Sequence, residues 1–129
     1  MIKPFIRATI LTAGLLHLLT GIAMLVAPEW FFQNIGTFPP YNRHYIGDLG
    51  AFQLPLGIGL LWAARAPERH RLFIAMVAVG NLIHLLNHAY DDIQADTLPR
   101  SQTVFLILFV AFLAAAMWLV QEKSASYTD

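Results

Sequence analysis

Four apolar runs, each about as long as the hydrocarbon core of a bilayer is thick, dominate the sequence. They cover about residues 5–27, 46–64, 72–90 and 103–120, and a spanning helix needs about 20 mostly apolar residues. The chain is 57% hydrophobic and only 12% charged, whereas soluble domains carry about 25% charged residues. The sequence therefore predicts one all-α membrane domain, residues 1–129, in which four transmembrane helices form an up-down-up-down bundle.

The basic residues are distributed unevenly between the two sides of such a bundle. One side collects Lys3, Arg7, Arg65, Arg69, Arg71 and Lys123, and the other only Arg43 and Arg100. Because cytoplasmic loops carry the excess of lysine and arginine, both termini are expected to be cytoplasmic in a multi-pass protein of the cell (inner) membrane. Eight basic residues balance eight acidic ones, which gives no reason to expect nucleic acid as a partner.

The absence of certain residue types excludes whole classes of chemistry. The chain contains no cysteine, so disulfides, thiolate metal sites, iron–sulfur clusters and thiol redox catalysis are excluded. No serine lies within the predicted helices, so covalent catalysis by a serine nucleophile is not expected there.

The third predicted helix contains a polar segment, residues 80–92. Such a segment is unusual in a helix that spans a membrane. Asn81, His84, His88 and either Asp91 or Asp92 recur at helical spacing, with Asn87 on the flank, so they share one face. Polar side chains in membrane helices usually face a bundle interior or a water-filled cavity. This face is therefore predicted to be one wall of a site.

The opposite wall is predicted at the start of the second helix, where His44 and Asp48 are four residues apart. Since the second helix begins on the side where the third ends, we expect a pocket open to the outer side. His88 and Asp48 should then be close enough to hydrogen-bond, directly or through an ion. Considered singly, His44 and Asp92 are expected to be solvated.

Three interpretations of this constellation remain open. Imidazole and carboxylate suit a divalent zinc, iron, copper or manganese ion. In the second interpretation, Asp48 and His88 form an acid/base pair, or the pocket binds a polar headgroup or a small amphiphile. Whether the site catalyses a reaction of its ligand stays open. In the third interpretation, asparagine and histidine only bridge helices by hydrogen bonds. The candidate metal ligands are His44, Asp48, His84, His88, Asp91 and Asp92, and the candidate ligand-binding residues are Asn81, Asn87, His17 and Gln53.

His17 stands apart, because it lies near the middle of the first predicted helix. If it faced His84, two axial histidines for a haem would be available. Four short helices with bulky apolar interiors leave little room for a porphyrin, so haem is not expected. A hydrogen bond from His17 to Thr20, to Asn81 or to a carbonyl group exposed by a kink at Pro55 is the simpler expectation.

The alternative hypothesis, from a different class of function, is that the protein is not catalytic. Small residues at a four-residue spacing in the second helix predict a ridge that lets another helix approach closely. Through this ridge the protein could dock onto a larger membrane complex as an accessory subunit or assembly factor, or form a homo-oligomer. The ridge consists of Gly47, Ala51, Pro55, Gly59 and Ala63.

The first two-thirds of the chain resembles the small four-helix DoxX-like bacterial membrane proteins. The similar elements are Gly14 and Gly21 in a first helix ending in Ala27-Pro28-Glu29, the stretch GDLGAFQLPLGIG at residues 47–59, and the basic turn at residues 65–69. The resemblance implies the four-helix fold. The segment with His84 and His88 departs from the pattern, so no family site is carried onto it, and the thiol-linked redox roles of some relatives are not implied without cysteine.

Overall fold

A computed structural model describes residues 4–96 and 101–125, and helices are the only regular secondary structure in that part of the chain. A short 3₁₀ turn, Pro67–Arg69, connects two of these helices. The four predicted long helices are confirmed, and a seven-residue helix, α2, is added between the first two. The helices are α1 (Pro4–Val26), α2 (Pro28–Asn34), α3 (Arg43–Ala63), α4 (Arg71–Gln94) and α5 (Ser101–Ala125).

The four long helices have the length and composition of membrane spans. Candidate spans cover Pro4–Val26, Arg43–Ala63, Arg71–Gln94 and Thr103–Gln121. Their outward surfaces carry large apolar side chains, of which Phe105 is 51% exposed. Exposed apolar area costs about 25 cal/mol per Å² in water, a cost that lipid removes. The protein is therefore a multi-pass membrane protein with lipid around its helices.

Helix α4 is longer than the sequence predicted. It continues to Gln94 instead of ending at about residue 90, and no proline or glycine lies between Gly80 and Gln94. Asp91 and Asp92 consequently belong to the helix and differ in direction by about 100°. We call the end of the bundle with Arg65, Arg69 and Arg71 the basic end, and the end with Asp48, Asp91 and Asp92 the acidic end.

Helices α1 and α3 form the most extensive contact in the bundle. Glycines on both helices let the two backbones approach each other. A Cβ added at Gly21 would lie 2.7 Å from the nitrogen of Leu54, and one at Gly50 would lie 3.0 Å from the carbonyl oxygen of Gly21. Such close approach is how dispersion forces hold membrane helices together.

The apolar core lies in the half of the bundle nearer the basic end. Ile10, Leu60, Ile74 and Leu113 come from the four long helices, and none is more than 2% exposed. Helix α1 packs between α3 and α5, and α4 packs chiefly against α5. The helices therefore follow the order α3, α1, α5, α4 around the bundle, with α3 and α4 in limited contact.

The predicted small-residue ridge of α3 is not the surface that packs against α1. Nothing lies within 4 Å of a Cβ added at Gly47, and Ala51 and Pro55 are exposed. Gly50 and Gly57 pack instead, because α1 lies on that side of α3. Two residues of the ridge do pack within the bundle, Gly59 against Phe73 of α4 and Ala63 in the apolar core.

Candidate functional site

A buried polar cluster joins three of the long helices near the middle of the bundle. His17 of α1 is 6% exposed, and its Nδ1 bonds to Oε1 of Gln53 in α3. Its Nε2 lies 3.3 Å from Nδ2 of Asn81 in α4. The ring of Phe109 from α5 meets the imidazole edge-on, with centroids 5.2 Å apart. All four long helices therefore meet at His17.

The hydrogen-bonding groups of this cluster are satisfied within the protein. Since the oxygen of Gln53 can only accept, Nδ1 of His17 carries the proton and Nε2 accepts from Asn81. The second amide hydrogen of Asn81 goes to the carbonyl oxygen of Val77, at 2.8 Å. Within the described residues no buried side-chain nitrogen or oxygen lacks a partner. The predicted ligand-binding residues His17, Gln53 and Asn81 thus bond to one another and hold the helices in register.

The two histidines of the polar segment form a separate pair nearer the acidic end. Nε2 of His84 and Nε2 of His88 are 2.9 Å apart. The ring of Phe38, from the loop between α2 and α3, lies 5.6 Å from the ring of His88. His84 is exposed and His88 partly exposed, so both can be reached from outside the bundle.

The other predicted wall also forms a pair, at the start of α3. Nε2 of His44 lies 3.5 Å from Oδ2 of Asp48, and their side chains are 90% and 59% exposed. The solvated state expected for His44 is confirmed. The predicted direct hydrogen bond between Asp48 and His88 is absent from the described residues, because each bonds within its own helix.

The two aspartates near the end of α4 have different environments. Asp92, expected to be solvated, is only 7% exposed and accepts a 2.8 Å hydrogen bond from Oγ1 of Thr103. Asp91 is exposed. The sequence expectation for Asp92 was wrong because α4 extends past residue 90 and turns this side chain toward α5.

The exposed polar residues of α4 share the face that this helix turns toward α3. A Cβ added at Gly59 in α3 would lie 2.5 Å from the ring of Phe73 in α4, so these two residues face each other near the basic end. At 3.6 residues per turn, the face that begins at Phe73 continues toward the acidic end through other residues. These are Gly80, His84, Asn87 and Asp91, all exposed.

The opposing face of α3 is exposed in the same way. From Gly59 it continues toward the acidic end through Pro55, Phe52 and Asp48, which are all exposed. Contact between the helices at Gly59 and Phe73, exposure of both rows of residues beyond it and the limited contact between α3 and α4 point to a space between the two rows. We call this space the α3–α4 cleft; its deep part is apolar and its mouth is polar.

The predicted metal ligands are distributed over several places instead of one. In residues 4–96 and 101–125, no group of three or more histidine, aspartate or glutamate side chains could hold a metal ion. His44 pairs with Asp48 on α3, His84 pairs with His88 on α4, and Asp92 accepts a hydrogen bond from Thr103 of α5.

Sequence reasoning missed Phe38 and Thr103 as neighbours of the candidate residues. Phe38 lies in an irregular loop before Pro39-Pro40, where no periodicity indicates a direction. Thr103 could have been found from its place at the start of the fourth apolar run, opposite the end of the third.

Comparisons with models of protein families, with curated proteins and with solved structures found no match for this chain.

Proposed function

We propose that this membrane protein binds an amphiphilic molecule in the α3–α4 cleft. One observation carries the proposal: α3 and α4 meet at Gly59 and Phe73, while both facing surfaces beyond that contact are exposed. A cleft of this kind admits a hydrocarbon chain from the side, between Phe52 and the open surface at Gly80. Binding is the proposed activity, and catalysis by Asp48 and His88 is not part of the proposal.

The mouth of the cleft favours a headgroup that donates hydrogen bonds. Asp48 and Asp91 supply carboxylates, and Asn87 supplies an amide, at the end of the cleft nearest the membrane surface. Ionised carboxylates only accept hydrogen bonds, and charge-assisted bonds are about twice as strong as neutral ones. A headgroup with an ammonium group therefore fits better than one that is only anionic.

The retention of a single-chain phospholipid tests the cleft. Leucine in place of Gly80 would fill open space, because nothing lies within 4 Å of a Cβ there. We expect Gly80→Leu to weaken binding of lysophosphatidylethanolamine at least about tenfold, a loss of about 1.4 kcal/mol, measured by native mass spectrometry in detergent.

The matched control is Ala114→Leu, at an exposed position of α5, which should leave binding unchanged. Lysophosphatidylglycerol, which lacks the ammonium group, should bind more weakly to the unmodified protein. Equal retention by Gly80→Leu and Ala114→Leu would contradict a site in the cleft.

The proposed orientation places the basic end in the cytoplasm, so that the cleft opens toward the outer leaflet of the cell (inner) membrane and both termini are cytoplasmic. Support comes from Arg65, Arg69 and Arg71 in the connection between α3 and α4, because positive charge marks cytoplasmic loops. The guanidinium of Arg65 lies 4.9 Å from the ring centre of Trp62, a pairing suited to the membrane interface.

Single cysteines introduced into this cysteine-free chain test the orientation. Asn87 and Glu68 are both exposed, near opposite ends of the bundle. A membrane-impermeant maleimide should label Asn87→Cys in intact cells, and Glu68→Cys only after permeabilisation. The unmodified chain is the blank, and the reverse pattern would invert the proposed topology.

A second candidate function is that of an accessory subunit whose partner inserts a helix into the cleft. It is favoured by the open position at Gly80, where nothing lies within 4 Å of an added Cβ, since small residues that the bundle leaves free suit a neighbouring helix. In that case a second protein chain, and not a lipid, would co-elute with the unmodified protein and be lost in Gly80→Leu. Homo-oligomerisation would appear in the same measurement as a doubled mass.

A further inference from the structure

The His84–His88 pair serves no visible purpose in the packing of the bundle. The buried cluster around His17 is satisfied without it. Among the described residues the two imidazoles hydrogen-bond to each other, and the ring of His88 also lies near Phe38. Two exposed imidazoles gain little from a mutual hydrogen bond, which is worth about 0.6 kcal/mol on average between membrane helices. Because the Nε2 atoms of the two rings are directed at each other, a single ligand could bind to both.

The distance between the two nitrogens matches adjacent positions around a metal ion. Imidazole nitrogens bind at about 2.0–2.1 Å, so a 2.9 Å separation corresponds to an angle of about 90° at the ion. A tetrahedral ion would need the nitrogens about 3.4 Å apart. Right angles between nitrogen ligands are typical of square-planar or tetragonal copper(II) and nickel(II).

We propose that Nε2 of His84 and Nε2 of His88 together bind a divalent transition metal ion of the copper or nickel class. The i, i+4 spacing places both imidazoles on one helix face, so an ion replaces the proton they now share. The remaining coordination positions are open, since the described residues supply no third histidine or carboxylate close enough to join the pair. Water fills these positions, or an oxygen donor arriving from outside.

This site is independent of the occupant proposed for the cleft. An ion needs only the two imidazoles, both of which can be reached in the protein without a bound amphiphile. Failure of lipid binding therefore says nothing about the metal, and failure of metal binding says nothing about the lipid. Testing with the metal alone, in detergent and without added lipid, keeps the two results apart.

Copper(II) titration of the full chain, purified without chelator or a polyhistidine tag, tests the site. One equivalent should bind with the electron paramagnetic resonance signature of two equatorial imidazole nitrogens. His84→Ala and His88→Ala should each raise the dissociation constant at least about tenfold, because losing one arm of a chelate removes its effective-concentration advantage. The remaining spectrum should show one nitrogen.

The matched control is His44→Ala, which removes one member of the other i, i+4 pair, with Asp48, and should leave affinity and spectrum unchanged. Size-exclusion profiles establish that each variant is folded; these residues are not among the buried ones, so folding should survive. Absence of copper binding, equal binding by His84→Ala, or zinc binding as tight as copper binding would each overturn the proposal.

Discussion

Replacing Gly57 with alanine is expected to force α1 and α3 apart and to destabilise the whole bundle. A Cβ at this position would overlap the backbone nitrogen of Leu18 and lie 2.7 Å from its Cα and 2.9 Å from the carbonyl oxygen of Gly14. All three atoms belong to the backbone of α1, so no side chain can rotate away. The helices must separate, and the largest interface of the bundle loses its contacts.

The size of the effect follows from two opposing contributions. Overpacking costs about 3 kcal/mol when nothing can move aside, while alanine gains about 1 kcal/mol over glycine in helix propensity. The net loss of about 2 kcal/mol should lower the midpoint of thermal unfolding by roughly 6–10 °C. Circular dichroism in detergent measures it, and Gly57→Leu should fail to accumulate as a folded protein.

Gly47→Ala is the control on the same helix. It makes the same chemical change where nothing lies within 4 Å of the added Cβ, so only the gain in helix propensity of about 1 kcal/mol remains. The variant should be as stable as the unmodified protein or slightly more so. If both variants behaved alike, close approach of α1 and α3 at Gly57 would not be what stabilises the bundle.

The helices could be predicted from the sequence because their signal is local. About 20 apolar residues in a row decide a spanning helix without knowledge of the rest of the chain. The end of α4 was harder, since it depends on where Asp92 finds a partner, and that partner, Thr103, lies on another helix. Local patterns do not contain this information.

The faces of the helices could be predicted only in part. Helical spacing correctly placed Asn81, His84 and Asp91 near one another along α4, yet it could not say which of them faces the bundle. Asn81 is 7% exposed and bonds to His17, whereas His84 and Asp91 border the cleft. That division depends on the order of helices around the bundle, which loop lengths alone do not determine.

The candidate metal ligands of the predicted pocket do not form one group within the described residues. His44 pairs with Asp48 on α3, and His84 pairs with His88 on α4. The sequence could not show that α1 takes the place between α3 and α5 and leaves α3 and α4 in limited contact, because the order of helices around a bundle is not a local property.

Replacing Gln53 alone with leucine should cost more than replacing the whole polar cluster. The single change leaves the Nδ1–H of His17 buried without an acceptor, and a buried unsatisfied donor costs about 1–3 kcal/mol. Exchanging every partner for apolar groups is often nearly neutral. The triple variant His17→Leu, Gln53→Leu and Asn81→Leu should therefore be more stable than Gln53→Leu, as measured by thermal unfolding in detergent.

This comparison separates a cluster that joins helices from one that acts on a ligand. If His17, Gln53 and Asn81 only hold the helices in register, the triple variant keeps copper binding at His84 and His88 and lipid binding in the cleft. A triple variant less stable than the single one would mean that the hydrogen bonds contribute net stability well above the roughly 0.6 kcal/mol average for membrane helices. A stable triple variant that lost ligand binding would move the functional site inward, from the cleft to His17.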